Sequence, residues 1–460
     1  MKTAMNIRTI VGILAIGLLA GVAGCKSLSD PNFNASDLNQ LTSNPTRAAV
    51  LDAVPGLLIG HRSYQDGQVG YVSELGMLGR ESVVLDIADP RWVSEMLSAS
   101  LNPGDGAFGG NFWFRPYQNV KLASTILTAM AGLSDAPDQG GMSPAEKAAT
   151  TGFVETMQAL DFLTIVNTHD TNCGCPIETT DDVNTPAPQV DKAAVFAKIE
   201  SLLGDAIQQL RNGGDSFPFS LSDGFTGFDT PETLLKAVYA IKARVDVYTM
   251  QWDVALNDLD SSFVDTTTAT VDGLRVGIYD AYGSGSGDNT NGLFQPNDPN
   301  IRGQDSLFND VETQPNGDMD ARVLRKTTTI ESRKFQGISS GIAFTIYNSL
   351  TTPIPIIRNE ELILLRAEAN IQQGDLEAGR ADINFVRRVS GGLDPVGSFA
   401  DQSAAIDQLL QERRYSLLFE GGHRWIDMRR YDRLDQIAID PSTAIATAYP
   451  LPLEETDARK

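Results

Sequence analysis

The residues of this chain that come nearest to covalent chemistry form one short motif, GISSG at residues 337–341. It matches the G-x-S-x-G elbow that presents a nucleophilic serine, here Ser339, in many hydrolases. That elbow requires a strand before the serine and a helix after it, whereas this sequence predicts a strand after it. The only histidine downstream that could act as a base, His423, lies in a charged helical segment. We therefore expect no catalytic residues and no enzymatic activity.

His169, Cys173 and Cys175 could instead act as metal ligands. A structural zinc site needs four ligands, and the sequence shows no fourth one nearby. In an exported chain the two cysteines could form a disulfide, although a bridge across one residue is strained, or they could stay as free thiols on a tight turn. The acidic stretch 288–297 fails the spacing of a calcium loop. We expect no metal and no cofactor, while the redox state of the cysteines and an incidental calcium site stay open.

Aromatic residues in loops could perform a different task, the binding of sugars. A sugar ring stacks its C–H groups on a flat aromatic face while amides and carboxylates pair its hydroxyls. The loop aromatics that could do this are Tyr64, Trp92, Tyr279 and Tyr282. Each ring could equally be a packing residue, because no motif marks any of them.

A cluster of charged residues near the C-terminus lies among large aromatic side chains such as Tyr415, Phe419 and Trp425. Charges in such surroundings are partly buried and must then pair with one another. The cluster consists of Glu412, Arg413, Glu420, Arg424, Asp427 and Arg429. We interpret it as a structural ion-pair network that fixes the orientation of helices.

Helical hairpins are the elements that must position these residues. Leu362, Leu365 and Ala369 recur at helical spacing, Gly374 provides a left-handed stop, and Asp375 can cap the next helix. This pattern predicts two antiparallel helices joined by a tight turn.

A second hairpin is predicted over residues 234–250 and 252–259. Residues 265–351 are the least helical part, with loop compositions interrupted by short strands near 274–279 and 342–347. The sequence therefore predicts a mainly α fold: a tetratricopeptide-like αα-hairpin scaffold with long irregular loops and a few short strands.

The N-terminus has the features of a processing signal. Lys2 and Arg8 precede an apolar run at residues 10–23, which is short for a membrane-spanning helix. Residues 22–25, VAGC, match the cleavage box of a bacterial lipoprotein, so Cys25 would become the lipidated first residue. The predicted organisation is a signal peptide at 1–24, a lipidated tether at 25–37 and one domain at 38–460. Acyl chains would anchor this domain to a membrane.

The charge of the chain excludes one class of partner. It contains 36 Lys and Arg against 59 Asp and Glu, for a formal net charge of −23. Nucleic-acid-binding proteins are usually basic, so we expect no nucleic-acid partner.

Two signatures in the C-terminal part resemble those of a known family. Arg358, with Glu360 or Glu361, then Leu364 and the AEA at 367–369, resembles the R-x-x-E-x-x-L-x-x-A-E-A signature of the SusD/RagB family of outer-membrane nutrient-binding lipoproteins. Two such long signatures in the family's order are far more specific than a short motif.

The second signature of that family is E-R-x-x-E-L-x-F-E-G-x-R-x-x-D-L-x-R. It is similar to Glu412-Arg413, Phe419-Glu420-Gly421, Arg424, Asp427 and Arg429-Arg430 in this chain. Ser416 departs from it where the family usually has an acidic residue, and Gly422 and His423 are a minor variation. Trp113 and Tyr117 resemble the aromatic positions of a further family helix, where core packing is the expected role.

The resemblance implies a protein that binds nutrients, most often oligosaccharides and in some relatives peptides. It also implies delivery to a partner, a SusC-like TonB-dependent β-barrel transporter, from the outer face of the outer membrane. From the residues alone, an alternative stays open: a helical interaction scaffold on the membrane surface without a small-molecule ligand. The nutrient and the transporter are not identified by the sequence.

Overall fold

The computed structural model describes residues 38–180, 185–285, 288–437 and 444–460. The expected signal peptide, the lipidation residue Cys25 and the tether lie outside these residues. Within the four described stretches, no helix combines the length and the apolar character that crossing a membrane requires.

Helices dominate the first part of the chain, and their ends are set by capping residues. The Thr46 side chain accepts a hydrogen bond from the amide of Ala49, and Ser143 forms a reciprocal capping box with Glu146. The helices are α1 (Leu38–Ser43), α2 (Arg47–Arg62), α3 (Tyr71–Leu78), α4 (Asn111–Ala131) and α5 (Pro144–His169). The long helix α5 packs against α4 on one side and against the next helix along the chain on the other.

The later helices include the two predicted hairpins. They are α6 (Lys192–Arg211), α7 (Pro231–Tyr248), α8 (Trp252–Ser261), α9 (Val271–Leu274), α10 (Ser306–Asn309), α11 (Ala321–Lys326), α12 (Asn359–Gln372), α13 (Leu376–Val386), α14 (Gln402–Ser416), α15 (His423–Arg430) and α16 (Leu453–Asp457). Helices α7 and α8 form one hairpin and α12 and α13 the other, with α12 also packed against α8 and α14. The predicted mainly α fold is confirmed.

Two glycines explain the geometry of the second hairpin. Gly374 adopts a φ of 89° in the turn, a conformation that side-chain-bearing residues rarely adopt. Gly379 lies where α13 crosses α12, and a Cβ at this position would collide with Ile371. The hairpin therefore depends on one glycine for its turn and on another for its close helix packing.

Short strands form three small antiparallel sheets. The largest has the order β1 (Ser82–Val84), β5 (Ile301–Gly303), β7 (Ile338–Phe344) and β6 (Thr327–Phe335). The other two pair β2 (Cys175–Pro176) with β3 (Gln189–Val190), and β4 (Gly277–Asp280) with β8 (Ile354–Arg358). The strands expected near 274–279 and 342–347 are shifted, because Leu274 ends helix α9 and β7 stops at Phe344.

The apolar side chains form one large cluster and one smaller one. The smaller cluster lies between α12, α13 and α14, and it includes Ile363, Ile371, Ile383 and Leu409. Many charged residues are buried beside these clusters, especially in residues 320–430. Buried charges need partners, and their pairing organises the region described next.

Candidate functional site

The two signature segments meet inside the protein through buried ion pairs. Arg358, at the end of β8, donates from Nε to Oε2 of Glu420 at 2.7 Å and from Nη1 to Oε2 of Glu360 at 2.6 Å. Lys326, at the end of α11, donates to the other oxygen of Glu420 at 2.7 Å. Two elements, β8 and α11, are thereby tied to one carboxylate, that of Glu420.

A second group of ion pairs lies deeper, around α14. Glu412 accepts hydrogen bonds from Arg322 and Arg387, each at 2.6 Å. Arg413 donates from Nε to Oδ2 of Asp427 at 2.6 Å. All five side chains are at least nine-tenths buried, so each charge is balanced by a partner rather than by water.

Two arginines of the predicted network, Arg424 and Arg429, do not form close ion pairs of the kind described above. In the part of the chain that the structure describes, Arg424 has no carboxylate within 4.0 Å, and burial lowers the pKa of its guanidinium to about 9. Arg429 packs its guanidinium 4.3 Å from the ring centre of Trp425 and donates to the carbonyl of Asn167 at 2.7 Å. Its contact with Asp170 is longer, at 3.7 Å.

The first ion-pair group shifts the titration of its carboxylates. Burial by itself raises the pKa of Glu360, but the positive charges of Arg358 and Lys326 lower it to about 2. The pKa of Glu420 is likewise lowered by Arg358 and Lys326 against the effect of burial. Both carboxylates are therefore charged at neutral pH.

A pocket of about 410 Å³ lies directly above this group, and we call it the Arg325 pocket. Its polar groups, apart from the floor formed by Lys326, Arg358, Glu360 and Glu420, are Arg275, Arg325, Thr345, Asn348, Thr352 and Ser390. Its aromatic residues are Tyr279 and Tyr347. The Tyr347 hydroxyl is committed to the carbonyl of Phe419 at 3.0 Å, and Tyr347 is buried, whereas Tyr279 is half-buried.

Tyr279 also lines a second pocket, of about 400 Å³, and we call it the Arg62 pocket. Its lining combines apolar residues of α2, among them Leu58 and the exposed Ile59, with the ion pair of Arg62 and Asp288. Because Tyr279 lines both pockets, we refer to the pair as the Tyr279 groove.

Tyr279 owes its position to a short strand pairing. It lies on β4, opposite Pro355 of β8, next to a register shift between Ile278 and Tyr279. Its hydroxyl donates to the carbonyl of Arg275, four residues earlier in the chain. The strand pairing and this hydrogen bond thus fix the Tyr279 side chain where it lines both pockets.

The other three predicted sugar-binding aromatics lie in the core, which corrects the expectation that they project from loops. The exposed fraction of the side chain is 1% for Tyr64, 1% for Trp92 and 7% for Tyr282. The Tyr64 hydroxyl donates to the buried carboxylate of Asp161, and Trp92 packs edge-on against Phe108 at 4.8 Å. These rings fill the interior and leave no free face for a ligand in this structure.

The aromatic pair Trp113 and Tyr117 also packs inside the protein. Their ring centres are 4.9 Å apart in an edge-to-face arrangement, and Trp113 is 2% exposed. The Tyr117 hydroxyl donates to the carbonyl of Pro176 at 2.9 Å. The pair therefore joins α4 to the segment after α5, in line with the expected packing role.

Cys173 and Cys175 are joined by a disulfide, with their Cα atoms 5.0 Å apart. Both sulfur atoms are therefore unavailable as metal ligands in this state. Among the described residues, no group of three His, Cys, Asp or Glu side chains is arranged to hold a metal ion. Nδ1 of the third candidate ligand, His169, lies 3.2 Å from the carbonyl of Ile165.

Ser339 lies on a β-hairpin and not on a nucleophile elbow. It is the second residue of β7, paired with Lys334 of β6, and the hairpin turn precedes it at Gly337. No helix follows the serine directly, because β7 continues to Phe344. His423 is buried, and burial lowers its pKa to about 4.

Of the four aromatics predicted from the sequence, Tyr279 lines the groove, whereas most of the other lining residues were not predicted. Arg275, Arg325 and Asn348 come from three separate segments and carry no motif. Only their position in or beside the loop-rich stretch 265–351 distinguishes them, and that stretch contains many similar residues.

Comparisons with known proteins agree with the two signatures. Residues 302–450 match the family model described as the SusD family. No curated protein matches this chain.

Several solved structures share the fold along almost the whole chain. A laminarin-binding SusD-like protein has a TM-score of 0.69 at 17% identity, covering 90% of this chain and 98% of its own. A SusD-like carbohydrate-binding protein from Bacteroides fragilis has a TM-score of 0.67 at 14% identity, covering 90% and 98%. NanU from B. fragilis has a TM-score of 0.61 at 16% identity, covering 89% and 93%. The region that carries both signatures therefore matches the SusD family, and the fold that these proteins share extends along almost the whole chain.

Proposed function

We propose that this protein is a lipid-anchored, nutrient-binding protein of the outer membrane that captures oligosaccharides in the Tyr279 groove. It would deliver them, without altering covalent bonds, to a SusC-like TonB-dependent β-barrel transporter. The observation that carries the proposal is a half-buried aromatic residue, Tyr279, that lines two pockets of about 410 and 400 Å³.

The groove has the chemistry that sugar binding requires. Tyr279 provides an aromatic face for the C–H groups of a sugar ring, and its hydroxyl is already satisfied by a backbone carbonyl. Asn348 is exposed, and its amide nitrogen offers donors. The hydroxyls of Thr345 and Thr352 donate to the carbonyl of Arg325 and to Oδ1 of Asn348, so they add acceptor oxygens. Pockets of this size are typical of small-molecule sites, and two of them with a shared lining residue could hold more than one sugar unit.

The relatives support a carbohydrate as the ligand class. Two of the similar structures are named as a laminarin-binding and a carbohydrate-binding protein. Their sequence identity to this chain is below 20%, so the shared fold does not indicate which sugar this chain binds.

The membrane location and the partner are supported by the N-terminal sequence and by the family. The VAGC box at residues 22–25 predicts lipidation of Cys25, and a tether of 12 further residues, 26–37, precedes the first described helix. Family members are typically outer-membrane lipoproteins that work with SusC-like transporters.

The ligand proposal is tested by titration calorimetry on residues 26–460 with a panel of oligosaccharides and peptides. Calorimetry is preferable to tryptophan fluorescence, because none of Trp92, Trp113, Trp252 and Trp425 lines the groove. Saturable binding of an oligosaccharide that is weakened by Tyr279→Ala supports the proposal. Binding that persists unchanged in this variant would assign the sugar to another surface, and binding of peptides alone would change the ligand class.

The partner proposal is tested on the lipidated protein in its native outer membrane. After solubilisation in a mild detergent, we expect a large β-barrel to co-purify with it in near-equal amount. If no barrel is recovered while other membrane complexes stay intact, and no panel member binds, the alternative of an interaction scaffold is favoured.

A further inference from the structure

Arg325 is a cation with unused hydrogen-bond donors at the wall of its pocket. Its Nη2 donates to the carbonyl and to the hydroxyl of Ser390, at 2.8 and 3.1 Å. Within the described part of the chain, Nε and Nη1 make no hydrogen bond, and no carboxylate lies within 4.0 Å of the guanidinium. A half-buried guanidinium with two free donor positions is suited to bind an anionic group.

Burial of Arg325 and the positive charge of Arg275 both favour binding of a negatively charged group beside Arg325. Burial is the main reason why the pKa of Arg325 is lowered. The negative charge of Glu360 opposes this shift, and repulsion from Arg275 adds to it. Arg275 itself is exposed, and its only ion-pair contact within the described residues is an exposed one with Asp272 at 3.6 Å. An anion between the two arginines would relieve their repulsion.

The Arg325 pocket as a whole carries an excess of positive charge. Four cationic residues line it, Arg275, Arg325, Lys326 and Arg358, against the two carboxylates of Glu360 and Glu420. Lys326 and Arg358 are neutralised by these carboxylates, so the excess positive charge is that of Arg275 and Arg325. This local excess stands out in a chain with a formal net charge of −23. A pocket focuses the field of the charges that line it, which favours an anionic ligand.

We propose that the Arg325 pocket selects acidic glycans, whose carboxylate or sulfate group is held by Arg325 and Arg275 while a sugar ring stacks on Tyr279. The proposal rests on the proposed function and names the substrate class of the same site. A carboxylate accepts two parallel hydrogen bonds from one guanidinium, and a sulfate ester can do the same.

The test measures binding of residues 26–460 to an array of matched glycans. Each neutral oligosaccharide is paired with forms of the same backbone that carry a uronic acid carboxylate, its methyl ester or a sulfate ester. We expect the acidic member of a bound pair to bind at least about tenfold more tightly than its neutral or esterified counterpart, as for a charge-assisted hydrogen bond. The carboxylate and sulfate members show which anion is preferred.

Substitutions then locate the effect. Arg325→Gln should lower the affinity for the acidic glycan about tenfold and leave a neutral glycan within about twofold. Arg388→Gln is the matched control, because Arg388 is exposed and lies outside the pocket lining. Among the described residues, its side chain donates only to the backbone carbonyl of Asn384. Circular dichroism and a thermal melt establish that both variants are folded.

The outcomes separate the two proposals. If glycans bind but the neutral members bind as tightly as the acidic ones, or if Arg325→Gln behaves like Arg388→Gln, acidic selection is wrong and sugar binding stands. If no glycan on the array binds the folded protein, the proposed function fails and the inference fails with it. Competition by free sulfate without binding of any glycan would indicate a simple anion site and would also overturn the inference.

Discussion

Arg358 and Glu420 face each other inside the protein, with Nε of the arginine 2.7 Å from Oε2 of the glutamate. The arginine begins the first family signature and the glutamate lies in the second, 62 residues further along the chain. Both side chains are buried, and Lys326 shares the same carboxylate. The signatures therefore encode one piece of structure, the floor of the Arg325 pocket.

Removing the charge of Glu420 should strongly destabilise the fold. Glu420→Gln leaves Arg358 and Lys326 buried with only Glu360 to balance them, and breaking a buried pair in this way costs about 3–5 kcal/mol. We expect urea denaturation to show this loss in the free energy of unfolding. The control is Glu377→Gln, which breaks an exposed pair with Arg380 and should leave the denaturation midpoint unchanged. Equal midpoints for the two variants would contradict a structural role for the network.

Tyr279 should be required for ligand binding but not for folding. Tyr279→Ala removes the aromatic side chain that lines both pockets, and we expect glycan affinity to fall at least about tenfold, as for the loss of a central aromatic contact. Titration calorimetry measures the affinity, and circular dichroism measures the fold. Tyr239→Ala is the control, since that tyrosine is half-buried on α7, where its hydroxyl accepts from Arg211 at 2.6 Å. It should leave the affinity unchanged.

Tyr282, in the same segment, should matter for stability and not for ligand binding, which is the reverse of the expectation for Tyr279. This ring is 7% exposed and packs beside the guanidinium of Arg62 at 5.9 Å. We expect a loss of stability of about 3 kcal/mol from the cavity that Tyr282→Ala leaves. If the Tyr282→Ala protein is folded and fully stable but binds sugar more weakly, the ring that stacks on the sugar is that of Tyr282 and not that of Tyr279.

Much of the helical scaffold could be predicted from sequence, because its determinants are local. The hairpin of α12 and α13 follows from apolar spacing, Gly374 and Asp375, all within one short segment. The four-stranded sheet could not be predicted in the same way. Its order joins β1 to β5, strands more than 200 residues apart, and short strands carry too few residues for a reliable pattern.

The candidate site was predictable only in part, for the same reason. Tyr64, Trp92 and Tyr282 have the residue type that a sugar site needs, but burial decides whether a ring is available, and burial depends on distant contacts such as that of Tyr64 with Asp161. Arg325 could not be distinguished from other arginines, because only the folded pocket shows that it has no carboxylate partner among the described residues.

The buried His423 should make stability depend on pH. Burial lowers its pKa to about 4 from the ordinary value of 6.5, so the folded protein binds fewer protons than the unfolded chain between these values. Its contribution to stability is full above pH 6.5 and is lost as the pH falls through 4. Relative to His423→Gln, the wild type should lose up to about 3 kcal/mol of unfolding free energy across this window.

The comparison is made by urea denaturation of both proteins at intervals across the window. Buried carboxylates with raised pKa values, such as Glu81 at about 7, make the protein more stable as the pH falls. They do so equally in the wild type and the variant, so their effect cancels when the two unfolding free energies are subtracted. His61→Gln serves as a control of opposite sign. Although burial lowers the pKa of His61, the carboxylates of Asp280 and Asp161 raise it overall. Its stabilisation is therefore lost as the pH rises. Parallel curves for the wild type and His423→Gln would mean that His423 is solvated.

The disulfide between Cys173 and Cys175 should be present in the purified protein and should contribute little to stability. Residues 26–460 contain only these two of the chain's 3 cysteines, so thiol alkylation followed by mass spectrometry should label neither before reduction and both after it. The bridge closes a very short loop and therefore restricts the unfolded chain only slightly. Replacing both cysteines by serine should lower the unfolding free energy by less than about 2 kcal/mol. Alkylation of both cysteines without reduction would favour two free thiols, and a large loss of stability in the serine variant would point to a packing role for the sulfur atoms, which lie in the core beside α5.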